Sequence, residues 1–389
     1  MNQVLQYRIL TWRLPRWCIY NNIIIFGFFT IKKIIYSIYL IYVMDYIRFG
    51  DSGLRVSRLC LGTWHLPVKN ENFKYNVDRD LSIKIIKRAY DLGINFFDTA
   101  NVYNGSIYPE NAGLSEDILG DALSGYERES LVISTKFMGK MGSFQNASGL
   151  SKKYLLWQIH ESLKRLKTDY IDILHMHRPD PETPIEETVS AFKIINDDSM
   201  ALYFGESYFH FNDIEDIARM FKSLNMKLLS MQEPYNLIER DIESEKFDIS
   251  RNYGMGIMAY IPIAQGILTD KYLKEGGENS RASFVPELRQ RYLSDKNNIK
   301  VLSELNEYAV GKGVKLAQLA LAWMIKKSEM KNISLVPIIG ATKIEQLEDD
   351  VSALDIKLTE DEVIEIENIA SGFVINWNSP YTRIRHSIF

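Results

Sequence analysis

An α/β fold, a single-domain (β/α)8 (TIM) barrel, is predicted by the alternation of short apolar segments with amphipathic ones along residues 44–370. Three observations carry this expectation. Eight apolar segments recur at spacings of roughly 30–40 residues, room for one strand and one helix each. No Gly-x-Gly-x-x-Gly follows the first of them, where Gly62 leads into Thr63-Trp64-His65, so the rival doubly wound sheet lacks its phosphate loop. No low-complexity linker divides the chain of 389 residues.

The expected strands are 58–62, 94–98, 131–135, 170–176, 201–205, 228–232, 256–261 and 334–339. Each is a short run of β-branched and large apolar residues, the pattern of a strand covered on both faces. Between them, 81–92, 152–166, 186–195, 214–224 and 315–326 carry the stripes of amphipathic helices. Asp80, Ser115, Ser151 and Asn212 stand where N-caps are expected, and Gly93 and Gly205 where elements end. Two polar, Gly-containing stretches, 103–114 and 266–297, are expected as loops over the C-terminal face of the barrel, where active sites sit.

Composition agrees with a soluble domain that has a large core: 46% hydrophobic, 25% charged, 12% aromatic. It excludes disordered, collagen-like and multi-span membrane classes, and a net charge of −4 gives no reason to expect nucleic-acid binding. That charge conceals an asymmetry. Arg8, Arg13, Arg16, Lys32 and Lys33, with no acid, make residues 1–43 +5; the other 41 basic and 50 acidic side chains make residues 44–389 −9. Cys18 and Cys60 cannot build a disulfide framework or a zinc-cysteine site, so a reducing, cytoplasmic setting is expected.

Residues 1–43 form an atypical hydrophobic, basic extension. The apolar runs 23–29 and 34–43 follow Arg13 and Arg16 as in a signal anchor. Yet Lys32 and Lys33 interrupt them, neither run reaches the ~20 residues of a span, and no small-x-small cleavage site follows. The preferred reading has translation starting at Met44, with membrane association not expected; an anchor or a folded extension are the alternatives. The tail, 371–389, holds Trp377, Tyr381, Arg383 and Arg385, and either covers the barrel mouth or packs at an oligomer contact.

Polar residues at strand C-termini should converge on one mouth. Asp98 ends the second strand, Tyr103 follows on its loop, Lys136 ends the third strand and His177 the fourth. Singly, each has a plain structural reading: Asp98 a cap, Tyr103 packing, Lys136 a solvated strand end. Together they make a proton-donor site. A tyrosine at pKa ~10 donates poorly at neutral pH, and a nearby ammonium favours its phenolate and lowers that pKa. An aspartate holds the lysine in place, and a histidine can hydrogen-bond a substrate carbonyl. His175 and His177 are two apart on one strand face, but no third ligand accompanies them, so no metal is expected.

These residues stand inside longer motifs. Gly53-Leu54-Arg55-Val56-Ser57-Arg58-Leu59 leads to Gly62-Thr63; Asp98-Thr99-Ala100 precedes Tyr103; Ser115-Glu116 and Leu119-Gly120 follow. Ser134-Thr135-Lys136, Tyr170-Ile171-Asp172 through His177-Arg178-Pro179-Asp180, and Tyr260-Ile261-Pro262 through Gly266-Ile267-Leu268-Thr269 come in the same order. With them the chain resembles the aldo-keto reductases from about Met44 to Ala370. The similarity is to the branch that holds potassium-channel β subunits and aryl-alcohol-dehydrogenase-like reductases.

The resemblance implies an NADP-dependent oxidoreductase that interconverts aldehydes or ketones and alcohols, with Asp98, Tyr103, Lys136 and His177 as its catalytic tetrad. It implies NADPH/NADP⁺ rather than NADH, and a small-molecule carbonyl substrate. Gly62, Thr63, Trp64, Asp98, Ser207, Gln232 and Tyr260 match the nicotinamide surroundings. Pro262, Ile263, Ala264, Gln265, Gly266 and Leu268 match the pyrophosphate loop. Gly340, Thr342, Lys343, Gln346 and Asp350 match the clamp on the adenosine phosphate, where Lys343 can meet a 2′-phosphate as a point charge. His65, Asn104 and Tyr108 are candidate substrate contacts. Departures from the common pattern are Tyr208 after Ser207, Ile261 after Tyr260, and Thr342 and Asp350 in place of Arg and Asn. The alternative that the resemblance leaves is a cofactor-binding regulatory subunit of a membrane channel. In such subunits the fourth tetrad position is typically Asn, whereas this chain has His177.

Overall fold

Eight parallel strands close into a ring in this computed structural model, which describes residues 44–69, 76–104, 109–273 and 285–378. The expectations for residues 1–43, for Tyr108 and for residues 379–389 lie outside the described residues. A two-stranded antiparallel hairpin comes first, β1 (Tyr46–Arg48) paired with β2 (Arg55–Ser57). The ring then runs β3 (Cys60–Gly62), β4 (Phe96–Asp98), β5 (Val132–Phe137), β6 (Ile171–Met176), β7 (Ala201–Ser207), β8 (Leu228–Pro234), β9 (Gly256–Tyr260) and β10 (Leu335–Ile339). β10 pairs back onto β3 through Ile338 and Cys60, so the ring has no edge. Every expected strand is present to within two residues, because a strand buried on both faces writes an unbroken apolar run.

Helices follow the strands: α1 (Arg79–Asp91), α2 (Leu114–Leu123), α3 (Lys152–Leu166), α4 (Ile185–Asp197), α5 (Phe211–Ser223) and α6 (Lys246–Tyr253). After β9 come α7 (Pro286–Tyr292), α8 (Lys296–Gly311) and α9 (Leu316–Met330). After β10 come α10 (Ile344–Ser352) and α11 (Glu360–Ala370). The stretch expected as a loop over 266–297 therefore contains a helix, α7. Ser151 caps α3 as expected, accepting from Tyr154 N at 3.3 Å. The other expected caps, Asp80, Ser115 and Asn212, are each the second residue of their helices. Asp78 rather than Asp80 caps α1, accepting from Leu81 N at 3.0 Å; α2 starts after Gly113 and α5 after His210.

Phe49, from the β1–β2 hairpin, plugs one end of the barrel. It is fully buried among Val56, Cys60, Phe96, Val132, Ile173, Leu229, Met258 and Val336, and its ring meets Phe96 edge-on at 5.5 Å. Gly256 makes room for it: a Cβ there would lie 2.5 Å from the Phe49 ring. The interior changes character along the strands. Apolar side chains fill the plugged end, and Asp98, Ser134, Lys136, His175, Ser230 and Gln232 fill the other. Among the described residues no helix is long and apolar enough to cross a membrane.

Candidate active site

The C-terminal ends of β4, β5 and β6 place Asp98, Lys136 and His177 side by side, and the turn after β4 returns Tyr103 over them. Lys136 Nζ donates to Asp98 Oδ2 at 2.7 Å and to the Thr99 carbonyl at 2.6 Å, in a pair that is essentially sealed from solvent. The same ammonium lies over the Tyr103 ring, 4.7 Å from its centroid. His177 meets Tyr103 edge-on at 5.7 Å, and Trp64 meets it from another side at 4.9 Å. The four sequence-predicted residues are thus one contiguous cluster. Gln232 Nε2 and Ser134 Oγ donate to the second Asp98 oxygen, Oδ1, at 2.9 and 3.0 Å.

Burial pushes the Tyr103 phenol well above the ordinary tyrosine range, and Asp98, Tyr208 and Cys60 add to the rise. The lowering expected from Lys136 does not dominate, because its ammonium is held by Asp98 and Thr99 beneath the ring face. Burial lowers the Lys136 pKa, while Asp98's charge and hydrogen bond oppose the fall. Burial first, then the positive charges of Lys136 and Arg178, push His177 well below the usual imidazole range. His177 is therefore neutral at physiological pH and suited to hydrogen bonding rather than to carrying charge.

The residues matched to the nicotinamide surroundings border this cluster. Thr63 is tethered to β4: its N–H and hydroxyl both donate to the Asp98 carbonyl, at 2.9 and 3.2 Å. Ser207 donates to the Gln232 carbonyl at 2.8 Å, which joins β7 to β8 beside Asp98. Tyr260, half-buried at the end of β9, has Tyr208 next to it with ring centroids 5.7 Å apart. Beyond it Ile261, Ala264, Gln265 and Gly266 all take positive φ, so the 261–268 segment coils tightly, with Leu268 fully buried beneath it. Pro262 and Ile263 lie in the same coil.

On the adjacent strand-to-helix turn, Gln346 Oε1 accepts from both N and Oγ1 of Thr342, at 3.0 and 3.1 Å. Lys343 is exposed at the start of α10, and no side chain caps that helix. A Cβ on Gly266 or Gly340 would meet nothing within 4 Å, so both glycines border open space. An uncapped helix start beside a lysine is a fitting seat for a phosphate, and these residues together fit a dinucleotide. Asp350, on the same helix, is buried. Burial and Asp349 raise its pKa to about 7 against the pull of Lys315, so much of its negative charge is suppressed near neutral pH.

Of the candidate substrate contacts, His65 is exposed beside Trp64, with ring centroids 6.3 Å apart. Asn104 sits at φ +63° and donates to Ser115 Oγ at 2.7 Å. Ser115, expected as a cap, instead donates onward to the Thr63 carbonyl at 3.1 Å. Its neighbour Glu116 is fully buried behind β5, where Thr135, Ser162 and Arg165 all donate to it.

Sequence reasoning did not find two further groups. One is Ser134, His175 and Ser230, linked inside the barrel: His175 Nδ1 lies 3.1 Å from Ser134 Oγ and Nε2 lies 2.9 Å from Ser230 Oγ. Its signal was the His-x-His spacing, which alternation on one strand could only read as a possible metal pair. Among the described residues no cluster of His, Cys, Asp and Glu side chains could hold a metal ion. The other group is Glu206, Glu233 and Lys246, under the turn after β7. Glu206 Oε2 accepts from Phe209 N at 3.1 Å, and Lys246 donates to both Glu233 and the Phe209 carbonyl. Burial, with Glu233 beside it, raises the Glu206 pKa to about 8. This group fixes the turn that carries Tyr208, itself at φ +66°.

A family model described as the aldo/keto reductase family matches residues 58–371. An L-glyceraldehyde 3-phosphate reductase of Escherichia coli (strain K12) is 36% identical over 346 residues, which cover 86% of this chain and 95% of the relative. A probable voltage-gated potassium channel subunit beta of Oryza sativa subsp. japonica is also 36% identical, over 340 residues, 85% of this chain and 97% of the relative. A putative subunit of the same kind from Schizosaccharomyces pombe is 34% identical over 330 residues, 82% of this chain and 91% of the relative.

Proposed function

The chain belongs to the aldo/keto reductase family, and from that premise we propose that it reduces aldehydes or ketones to alcohols, reversibly, with NADPH as hydride donor. One observation above all supports this reading: a sealed Lys136–Asp98 ion pair lies directly beneath the Tyr103 ring, with His177 at its edge. Residues 44–370 carry this chemistry. Trp64, Ser207, Gln232 and Tyr260 hold the nicotinamide end, the 262–268 coil the pyrophosphate, and Thr342, Lys343, Gln346 and Asp350 the phosphorylated adenosine.

Bound NADPH supplies a hydride to the carbonyl carbon of the substrate. Tyr103 gives the proton that completes the alcohol. Its raised pKa keeps that proton in place at neutral pH, and the strongly basic oxygen created by hydride addition takes it. Lys136, held positive by Asp98, stabilises the phenolate left behind. Neutral His177 donates a hydrogen bond that orients the carbonyl. Asp98 serves through Lys136, and its other oxygen is held by Ser134 and Gln232.

Relatives of equal identity bear an enzyme's name and a channel subunit's name, so the regulatory reading is the natural second one. The imidazole of His177 at the tetrad's fourth position favours turnover. The deciding experiment measures NADPH oxidation with a panel of aldehydes and ketones, alongside Tyr103→Phe. Turnover in the wild type with a loss of roughly 10²–10⁴-fold in the variant is expected. Equal rates in both would remove Tyr103 as the acid. Tight NADPH binding without turnover on any carbonyl would favour the subunit. Lys343→Ala should raise the KM for NADPH much more than that for NADH; an equal change would unseat the 2′-phosphate assignment.

A further inference from the structure

His175 and His177 leave β6 two residues apart, but His175 is turned into the barrel and fully buried. It lies level with Lys136 on β5 and Gly205 on β7, and Gly205 in turn is level with Ser230 on β8. The ring crosses β7 to reach β8, and Gly205 is what lets it pass. A Cβ there would lie 2.3 Å from His175 Cδ2 and 2.4 Å from Nε2. Gly205 is therefore not an element end but an opening in the middle of a strand.

The direction of each hydrogen bond follows from counting protons. Asp98 is ion-paired with Lys136 and can only accept, so the single Ser134 hydroxyl proton points to Asp98 Oδ1. Ser134 Oγ must then accept from the ring, which places the imidazole proton on Nδ1. Nε2 is left as an acceptor, and Ser230 Oγ donates to it. Every donor along Ser230, His175, Ser134 points toward Asp98. Burial first, and then Lys136, hold the ring neutral, against a hydrogen bond to the Thr135 backbone. A charged ring would have no acceptor to offer Ser230.

We infer that His175 is a positioning residue: held in its Nδ1–H form between Ser134 and Ser230, it leaves the Ser134 proton to Asp98 and so steadies the carboxylate that holds Lys136 beneath Tyr103. Its kinetic consequence rests on the carbonyl-reductase reading; the proton arrangement does not. In Ser230→Ala the donor to Nε2 is gone. Nε2 is then a buried acceptor without that donor, which loosens the ring's hold on Ser134 and, through it, on Asp98. Ser230→Thr keeps a hydroxyl at the same place.

The test has a spectroscopic and a kinetic arm, both on the full chain. Two-bond proton–nitrogen correlation spectra of ¹⁵N-histidine-labelled protein, with His175 assigned by its loss in His175→Gln, report the tautomer directly. Nδ1–H is expected in wild type, Ser230→Thr and Ser230→Ala alike, since Asp98 fixes it from the Ser134 side. An Nε2–H or doubly protonated ring in the wild type would overturn the inference. In the kinetic arm Ser230→Ala should lose about tenfold in kcat, as for one supporting hydrogen bond, with the KM for NADPH within about twofold and the rate restored in Ser230→Thr. Unchanged kcat, or an equal loss in the threonine variant, would overturn the positioning role. Absence of turnover in the wild type would instead count against the activity reading, and the tautomer spectra still decide the proton arrangement.

Discussion

Asp98 takes three side-chain donors from two strands, Ser134 and Lys136 on β5 and Gln232 on β8, in a place that water does not reach. Removing one member of a buried ion pair leaves the other charge uncompensated, at a cost of about 3–5 kcal/mol. Asp98→Asn should therefore lower both activity and unfolding free energy, the latter read by urea denaturation; loss of activity alone would mean that the pair is better solvated than its burial implies. Asp350 gives a pH signature. Its folded pKa, about 7, stands above the ordinary carboxyl value, so its favourable contribution is full below the unfolded pKa and is lost as pH rises through 7. Asp350→Asn should melt with the wild type at pH 4 and increasingly above it up to pH 7–8; parallel curves across that range would show an unshifted carboxyl. The clustering of Asp98, Tyr103, Lys136 and His177 was legible because a strand's end is where its direction is known, and four polar types ended strands or followed them. Glu206, Glu233 and Lys246 were not, because only packing brings 206, 233 and 246 together.

Among the elements, strands were easier to read than helix starts. Val77-Asp78-Arg79-Asp80 offers two aspartates, and the apolar stripe tolerates either as the cap; the chain enters the helix early enough for Asp78 to take it. His210 opens α5 without a side-chain bond, so composition held no signal for it. Where a single good cap stood alone, as Ser151 does before α3, it was found. Ser151→Ala should cost about 1 kcal/mol in unfolding free energy, and Ser151→Asp much less; equal losses would show that the Tyr154 N–H is satisfied elsewhere. Gly205 misled for a different reason. Its role is set by a side chain on the neighbouring strand, and no local pattern records that.

At the scale of the whole molecule the two ends of the barrel do different work. Phe49 and its apolar surroundings hold one end, and every group argued to act on a substrate stands at the other. Phe49→Ala should cost about 3–5 kcal/mol, as for other fully buried aromatics, while the KM for NADPH in the folded variant stays near the wild-type value. A large KM change would show that the plug and the mouth communicate.

The closure of β10 onto β3 has a consequence for how the protein is made. A chain emerging from the ribosome presents β3 early and β10 only near its end, so until residues 335–339 arrive the nascent sheet has two open edges. Such edges pair readily with those of other unfinished chains. Messages cut short anywhere before that last strand should yield sticky, chaperone-dependent products rather than smaller enzymes, and the ribosome must deliver nearly the whole barrel before any of it is safe.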